Sequence, residues 1–166
     1  SNTGDGLELG MAAGGSVSTM RAVWGVPVLQ DPEHVYDGRP SGRMANVELT
    51  LPGSIMVNTS GRRFVNETTD YMSFGLRLLA LERSGSPVEA VWLVLDQRYR
   101  NSYVFAANLF PRMAVPQTWD RAGIAARADD FAALATKIGV PTDAYLDTMS
   151  RFNENACAGE DPDYGR

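Results

Sequence analysis

Residues 66–71, with the sequence NETTDY, form an unbroken run of side chains that carry polar groups. They follow the apolar pair Phe64 and Val65 and precede a helix predicted to begin near Met72. A short loop between a rigid strand and a rigid helix holds its side chains in fixed positions, as catalysis requires. Tyr71 ends the run with a hydroxyl that could exchange a proton with a bound molecule. We therefore predict a candidate active site at this junction.

The same run also has a purely structural interpretation. Short polar side chains often close turns, and Thr69 or Asp70 could accept a hydrogen bond from the first free N–H groups of the helix. Tyr71 could be an amphipathic side chain that is held only by packing of its ring. The residues by themselves leave both interpretations open.

A β-hairpin is predicted to position this loop. Two apolar runs, residues 55–57 and residues 64–65, flank the polar segment 58–62. Asn58 and Gly61 within it can adopt the positive φ that a tight turn needs. Behind the hairpin, we expect Phe64 to be buried against the sheet and Glu67 to be hydrogen-bonded to backbone or to an arginine, because an unpaired buried carboxylate is costly.

The remaining elements predict an α+β fold, in which a small mixed sheet with this hairpin packs against several helices. The apolar run 91–95 reads as a central strand buried on both faces, and residues 124–128 as a short strand. Residues 30–45 carry Pro, Gly and Arg with no period, which indicates an irregular connection. Helices are expected after the capping residues Asp129 and Asp130 and from Pro141 onward.

Composition excludes several classes of function. The formal net charge is −5 with basic residues scattered, which argues against a nucleic-acid partner. There is one cysteine, Cys157, and one histidine, His34, so we predict no disulfide and no metal site built from paired thiolates. No apolar run is long enough to span a membrane and no signal peptide is recognisable, so a cytoplasmic location is expected.

Four segments have the order and spacing of motifs from a known family. Together they resemble FAD-dependent dehydrogenases of the group that includes fumarate reductase flavoproteins and 3-ketosteroid Δ1-dehydrogenases. The segments are residues 3–14 (TGDGLELGMAAG), 57–67 (VNTSGRRFVNE), 96–100 (DQRYR) and 151–166 (RFNENACAGEDPDYGR).

The resemblance implies that FAD is the cofactor of the parent protein. It places Thr3, Gly4 and Asp5 in contact with the cofactor. The family's GxGxxG fingerprint is absent from this chain, so we expect an excised piece that does not hold FAD by itself and is colourless when purified. The implied division is a stub of the FAD-binding domain (1–25), a linker (26–50), a substrate-binding and catalytic capping domain (51–160) and a return linker (161–166).

Tyr71 indicates which branch of the family this chain resembles more. Fumarate reductases resemble this chain but carry an arginine acid where Tyr71 aligns, whereas ketosteroid dehydrogenases carry a tyrosine there. Removing two hydrogens beside a ketone requires a base for the α-proton and a hydride acceptor. A tyrosine, with an ordinary pKa of about 10, acts as that base only where its surroundings lower this pKa. The resemblance therefore implies a catalytic Tyr71, a small-molecule ketone of the steroid type as substrate, and the FAD-binding domain of the same protein as partner.

The same resemblance assigns Arg63, Asn66 and Glu67 to binding substrate or to organising the loop. Two other functions stay open at this stage. One is a flavoprotein reductase for small carboxylates, against which the missing arginine weighs. The other is a stand-alone α+β binding module, in which Tyr71, Asn66 and Glu67 are purely structural.

Overall fold

The computed structural model describes residues 3–18, 20, 23–88 and 90–166, which form an α+β fold, as predicted. None of the helices in this part of the chain is long and apolar enough to cross a membrane. In chain order the elements are α1 (Asp5–Ala12), β1 (Val28–Tyr36), β2 (Arg39–Met44), α2 (Asn46–Thr50), β3 (Ser54–Asn58), α3 (Tyr71–Arg83), β4 (Val91–Leu95), α4 (Gln97–Ser102), α5 (Gln117–Arg121), α6 (Phe131–Ile138) and α7 (Thr142–Ala158).

The described strands pair in two antiparallel ribbons, where the sequence predicted one small mixed sheet. β1 pairs with β2, and β3 pairs with β4 in the register Ser54 to Leu95 through Asn58 to Val91. β4 is thus one of two strands and not central in a sheet, and only Val94 in it is fully buried. β3 is buried along most of its length, so it is the strand on which the core is built.

The β1–β2 ribbon overturns the interpretation of residues 30–45 as an irregular connection. Tyr36 pairs with Arg39 across a two-residue turn in which Asp37 and Gly38 both have positive φ, 51° and 71°. An Asp-Gly turn of this kind matches the twist of the flanking strands. The prolines and glycine within the two strands obscured the pattern, because such residues weaken strand propensity.

The hairpin predicted between residues 55–57 and 64–65 is wrong, although its turn is present. Gly61 (φ 71°) donates to the carbonyl of Asn58, and the amide of Asn58 bonds the carbonyl of Arg62. Pairing stops there because the amide of Met56, on the free edge of β3, donates to the carboxylate of Glu67 at 3.0 Å. A side chain has taken the place that the second strand would have filled.

Helix caps were predicted better than strands. Asp70 accepts a hydrogen bond from the amide of Ser73 at the start of α3, and Asp130 accepts one from Ala133 at the start of α6. Gly139 ends α6 with a positive φ of 70°. Residues 124–128 are not a strand: Ile124 and Ala125 both donate to the carbonyl of Trp119 and so close the end of α5.

Three apolar clusters hold these elements together. One joins the β3–β4 ribbon to α6 and α7, a second lies between β3 and α3, and the third surrounds α4 and α5. Their buried members are Ile55, Val57, Val94, Ala135, Val140, Tyr145 and Met149 in the first; Leu49, Met56, Phe64, Val65 and Phe74 in the second; and Tyr99, Phe105, Ala106, Leu109 and Trp119 in the third.

Candidate active site

Tyr71 is the first residue of α3 and lies at the surface. Its side chain is partly exposed (36%), and its hydroxyl makes no hydrogen bond to another described residue. Its ring is stacked on that of Trp24, with centroids 6.3 Å apart and planes 22° apart. We call Trp24 and Tyr71 the aromatic pair. The ring of Phe74, on the same helix, turns inward against Phe64.

Two glycines hold the aromatic pair together. A Cβ added to Gly75 would lie 3.1 Å from Cγ1 of Val23 and 3.3 Å from the Cα of Gly25. The backbone of the segment that carries Trp24 therefore rests directly on α3 at Gly75, one turn after Tyr71. Tyr71 and Gly75 are four residues apart on this helix, so they share one face. The contact places the indole over the phenol.

The surroundings of Tyr71 are apolar and open. Met72 and Leu76, one helical turn apart on the neighbouring face of α3, are each 44% exposed. Asp70 carries the nearest charge in sequence, but its carboxylate accepts from both the amide and the hydroxyl of Ser73. These hydrogen bonds from Ser73 lower the pKa of Asp70. Asp70 is thus committed to capping α3.

A buried ion cluster, made of Arg63, Glu67, Asp161 and Arg166, lies on the free edge of β3. Arg63 uses four of its five N–H groups: Nε and Nη2 bond Glu67 at 3.0 and 2.7 Å, and Nη1 and Nη2 bond Asp161 at 3.1 and 3.0 Å. Arg166 lies 3.5 Å from Glu67 and donates to the carbonyl of Leu51 at 2.7 Å and to that of Ser54. The two positive and two negative side chains give the cluster no net charge.

The pKa values in this cluster follow from its partners. Burial by itself would lower the pKa of Arg63, but hydrogen bonds to Glu67 and Asp161 outweigh burial and raise that pKa. The hydrogen bond from Arg63 lowers the pKa of Asp161, against the opposing effect of burial. Burial lowers the pKa of Arg166, and the nearby charge of Glu67 offsets part of that effect. The cluster is an ionised network in which each charge has a partner.

Aromatic rings complete the burial of Arg63. Its guanidinium lies 5.0 Å from the ring centroids of both Phe152 and Tyr164. The hydroxyl of Tyr164 donates to the backbone carbonyl of Arg63, and Asn66 donates from its amide to the carbonyl of Tyr164. Cation–π contacts of this kind are strongest when they are desolvated. Residues 161–166 are thereby fastened to the loop that leads to Tyr71.

The structure confirms two expectations about this loop. Phe64 is buried against β3, in the cluster that also holds Met56 and Phe74. Glu67 is hydrogen-bonded to both a backbone amide and an arginine, and its side chain is fully buried. Arg63, Asn66 and Glu67 are brought together, whereas none of them contacts Tyr71 through a hydrogen bond, ion pair or ring contact in the described part of the chain.

The residues predicted to touch the cofactor lie apart from both groups. Thr3 donates from its hydroxyl to Asp5 at 2.7 Å, and Gly4 precedes α1 with φ 100°, a conformation that glycine adopts readily. All three are exposed, and no residue of α1 is buried. They are accessible to a cofactor lying beside α1, but their side chains cannot enclose one.

Sequence reasoning missed the partners that come from distant segments. The sequence placed Trp24 in the stub of the FAD-binding domain (1–25) and Asp161, Tyr164 and Arg166 in the return linker (161–166). The three acidic residues and the arginine within residues 160–166 were a usable signal, because buried charges require partners. Nothing local to Trp24 indicated its contact with Tyr71.

Comparison with known proteins gives one family and several relatives. Residues 1–164 match the family model described as an FAD binding domain. The chain is 37% identical over 169 residues to a 3-oxosteroid 1-dehydrogenase of Mycobacterium tuberculosis strain H37Rv, covering 99% of this chain and 29% of the relative. It is 27% identical to the cytochrome-type fumarate reductase of Shewanella frigidimarina, covering 98% of this chain and 24% of that protein.

A solved structure shares the fold. The 3-ketosteroid Δ1-dehydrogenase of Sterolibacterium denitrificans, solved in complex with 1,4-androstadiene-3,17-dione, superposes with a TM-score of 0.80 at 30% identity. The match covers 99% of this chain and 28% of that one. The chain thus spans less than a third of the length of the relatives that it matches.

Proposed function

The chain belongs to the FAD binding domain family of flavoprotein oxidoreductases, and from this premise we propose that it is the substrate-side part of an FAD-dependent 3-ketosteroid dehydrogenase. The observation that carries the proposal is that Tyr71, a partly exposed residue at the start of a capped helix, has a hydroxyl that makes no hydrogen bond to a described residue. A general base must reach its proton directly, so a hydroxyl turned into the core could not act.

In the proposed reaction, the oxygen of Tyr71 takes the proton from the carbon beside the ketone carbonyl. The carbonyl group stabilises the negative charge that this leaves behind. FAD, when bound, supplies the two-electron acceptor for the hydrogen that leaves the neighbouring carbon, so that a carbon–carbon double bond forms. Asp70 and Ser73 fix the first turn of α3 and thereby the position of the base.

The cofactor site is proposed to include Thr3, Gly4 and Asp5 at the start of α1. Their exposure fits a contribution to one edge of a site that other parts of the same protein complete. In this proposal residues 1–25 belong to the cofactor domain and residues 51–160 to the capping domain, and the rest of the protein supplies the parts of the relatives that this chain does not span.

An apolar ketone fits the site better than a small dicarboxylate. Reduction of a dicarboxylate requires cationic clamps, preferably arginine. Arg63, the buried arginine of the loop that leads to Tyr71, is already committed to Glu67 and Asp161. Exposed Met72 and Leu76 instead offer apolar surface beside the proposed base. Arg63, Asn66 and Glu67 are assigned to organising the loop and not to binding substrate.

The test is Tyr71→Phe in the full-length, FAD-loaded protein, with progesterone as a 3-ketosteroid substrate. Phenylalanine keeps the ring and its contact with Trp24 but removes the oxygen. Loss of a general base typically lowers the rate by about 10²–10⁴-fold, so we expect turnover to fall at least about a hundredfold with flavin content unchanged.

Tyr36→Phe is the matched control, because Tyr36 is an exposed tyrosine with no ring contact in the described part of the chain. It should leave turnover unchanged. If Tyr71→Phe keeps turnover within a few-fold of the parent, Tyr71 is a packing residue and the proposed function loses its base.

A further inference from the structure

Trp24 is a large aromatic side chain that the fold holds at the surface. It is 76% exposed, although tryptophan usually buries most of its area. Its position is nevertheless constrained, since the flanking backbone at Gly25 lies against Gly75 so closely that a Cβ on either glycine would lie only 3.3 Å from the Cα of the other. The exposure is therefore built into the fold, which suggests that another molecule covers the ring.

The exposed surface beside the indole has one chemical character. Tyr71 stacks with it at 6.3 Å, and Met72 and Leu76 continue the apolar surface along α3. No cation–π contact or ion pair among the described residues involves either ring of the aromatic pair. Such a surface favours a flat, uncharged, apolar molecule.

We propose that Trp24 is a specificity and positioning residue, against whose indole face the ring system of the ketone lies while its α-carbon faces Tyr71. This deepens the proposed function and rests on it. The indole removes one apolar face of the substrate from water and keeps the phenol ring in its stacked orientation. A small charged substrate should bind poorly at this surface. Its charged group would lose hydrating water against the indole face and gain no hydrogen bond or ion pair in return.

Three variants of the full-length, FAD-loaded protein test the proposal with progesterone. Trp24→Ala removes the indole, Trp24→Phe keeps an aromatic face, and Tyr36→Ala removes an equally exposed ring (76%) that has no ring contact in the described residues. We expect Trp24→Ala to raise KM about tenfold while kcat falls less than about threefold. Trp24→Phe should restore KM to within about threefold of the parent, and Tyr36→Ala should change neither constant.

Binding measured without turnover provides a second readout. Progesterone should bind about tenfold more weakly to the Tyr71→Phe, Trp24→Ala double variant than to Tyr71→Phe alone. An effect on kcat with unchanged KM would mean that Trp24 only supports Tyr71, and the specificity role would be wrong. Loss of flavin from Trp24→Ala would show that the indole contacts the cofactor, which would also overturn the inference.

The two proposals fail in different ways. Full turnover by Tyr71→Phe would refute the proposed function, whatever Trp24→Ala does. An inactive Tyr71→Phe beside a Trp24→Ala variant with parental KM would refute only the role of Trp24.

Discussion

The buried ion cluster and the aromatic pair are two unlike surroundings at the two ends of one short loop. In the cluster, Glu67 is fully buried and each charge has a partner. In the aromatic pair, Trp24 is 76% exposed and Tyr71 is 36% exposed. A buried cluster in which every charge is paired can hold the loop in place. A partly exposed tyrosine whose hydroxyl has no hydrogen-bond partner can instead react with a bound molecule. We therefore propose a structural role for the ion cluster and a functional role for the aromatic pair.

The buried ion cluster also covers the unpaired edge of β3. β3 pairs with β4 on one side, and its other edge would expose unpaired amides and carbonyls. Glu67 accepts from Met56 and Arg166 donates to Ser54, so charged side chains cover that edge. Because Asp161 and Arg166 come from the far end of the chain, the loop before α3 is fixed by tertiary contacts.

Breaking the cluster should have the largest effect on stability. Glu67→Gln removes the charge that faces Arg63 and Arg166, and removing one partner of a buried pair typically costs about 3–5 kcal/mol. Hydrogen exchange of the amides of β3 should then lose protection by about a hundredfold or more. Asp163→Asn, which breaks an exposed pair with Arg151, is the control and should leave this protection unchanged. Equal effects from the two variants would contradict the assignment.

Acid should weaken the same cluster through Asp161. The hydrogen bond from Arg63 holds the pKa of Asp161 below its ordinary value. A lowered folded-state pKa means that the stabilisation is present above the unfolded-state pKa, near 4, and is lost as pH falls through the folded value. The urea midpoint should therefore decline between about pH 5 and about pH 3, and less steeply in Asp161→Asn. Parallel curves would exclude Asp161 as a source of acid sensitivity.

A smaller effect, on substrate binding, is expected from a substitution at Gly75, where the segment that carries Trp24 contacts α3. Gly75→Ala places a Cβ 3.1 Å from Val23 and 3.3 Å from Gly25, so the segment that carries Trp24 must shift by a few tenths of an ångström. We expect KM for progesterone to rise roughly two- to threefold, with kcat nearly unchanged. Gly10→Ala in α1 is the matched control, because nothing lies within 4 Å of its added Cβ. An unchanged KM in Gly75→Ala would show that the segment carrying Trp24 can shift without weakening substrate binding.

The parts of this molecule that were predictable from sequence are those set by neighbours in the chain. The caps at Asp70 and Asp130 and the turn at Gly61 depend on residues three or four positions away. Asp161, which pairs with Arg63, and Tyr164, which accepts from Asn66, each lie 98 residues away, and a local pattern carries no information about them. The wrong hairpin has a different cause, since a side chain only 11 residues from Met56, that of Glu67, fills the edge of β3.

The β1–β2 ribbon was missed for another reason. Its Asp37-Gly38 turn is a strong hairpin signal, but prolines and a glycine in the strands lowered their apparent propensity. The contact between Trp24 and Tyr71 depends on the approach of Gly25 to Gly75, which only the fold reveals. The helix that begins beside Tyr71 was thus predictable from sequence, whereas the ring on which Tyr71 stacks was not.

The central claim, that Tyr71 moves the α-proton, is tested most directly by hydrogen exchange on the substrate. The full-length protein, kept fully reduced so that no net oxidation occurs, is incubated with progesterone in D₂O, and deuterium at the α-carbon is measured. The account predicts incorporation by the parent and a loss of at least about a hundredfold in Tyr71→Phe, with Tyr36→Phe like the parent. Incorporation by Tyr71→Phe at the parental rate would contradict it.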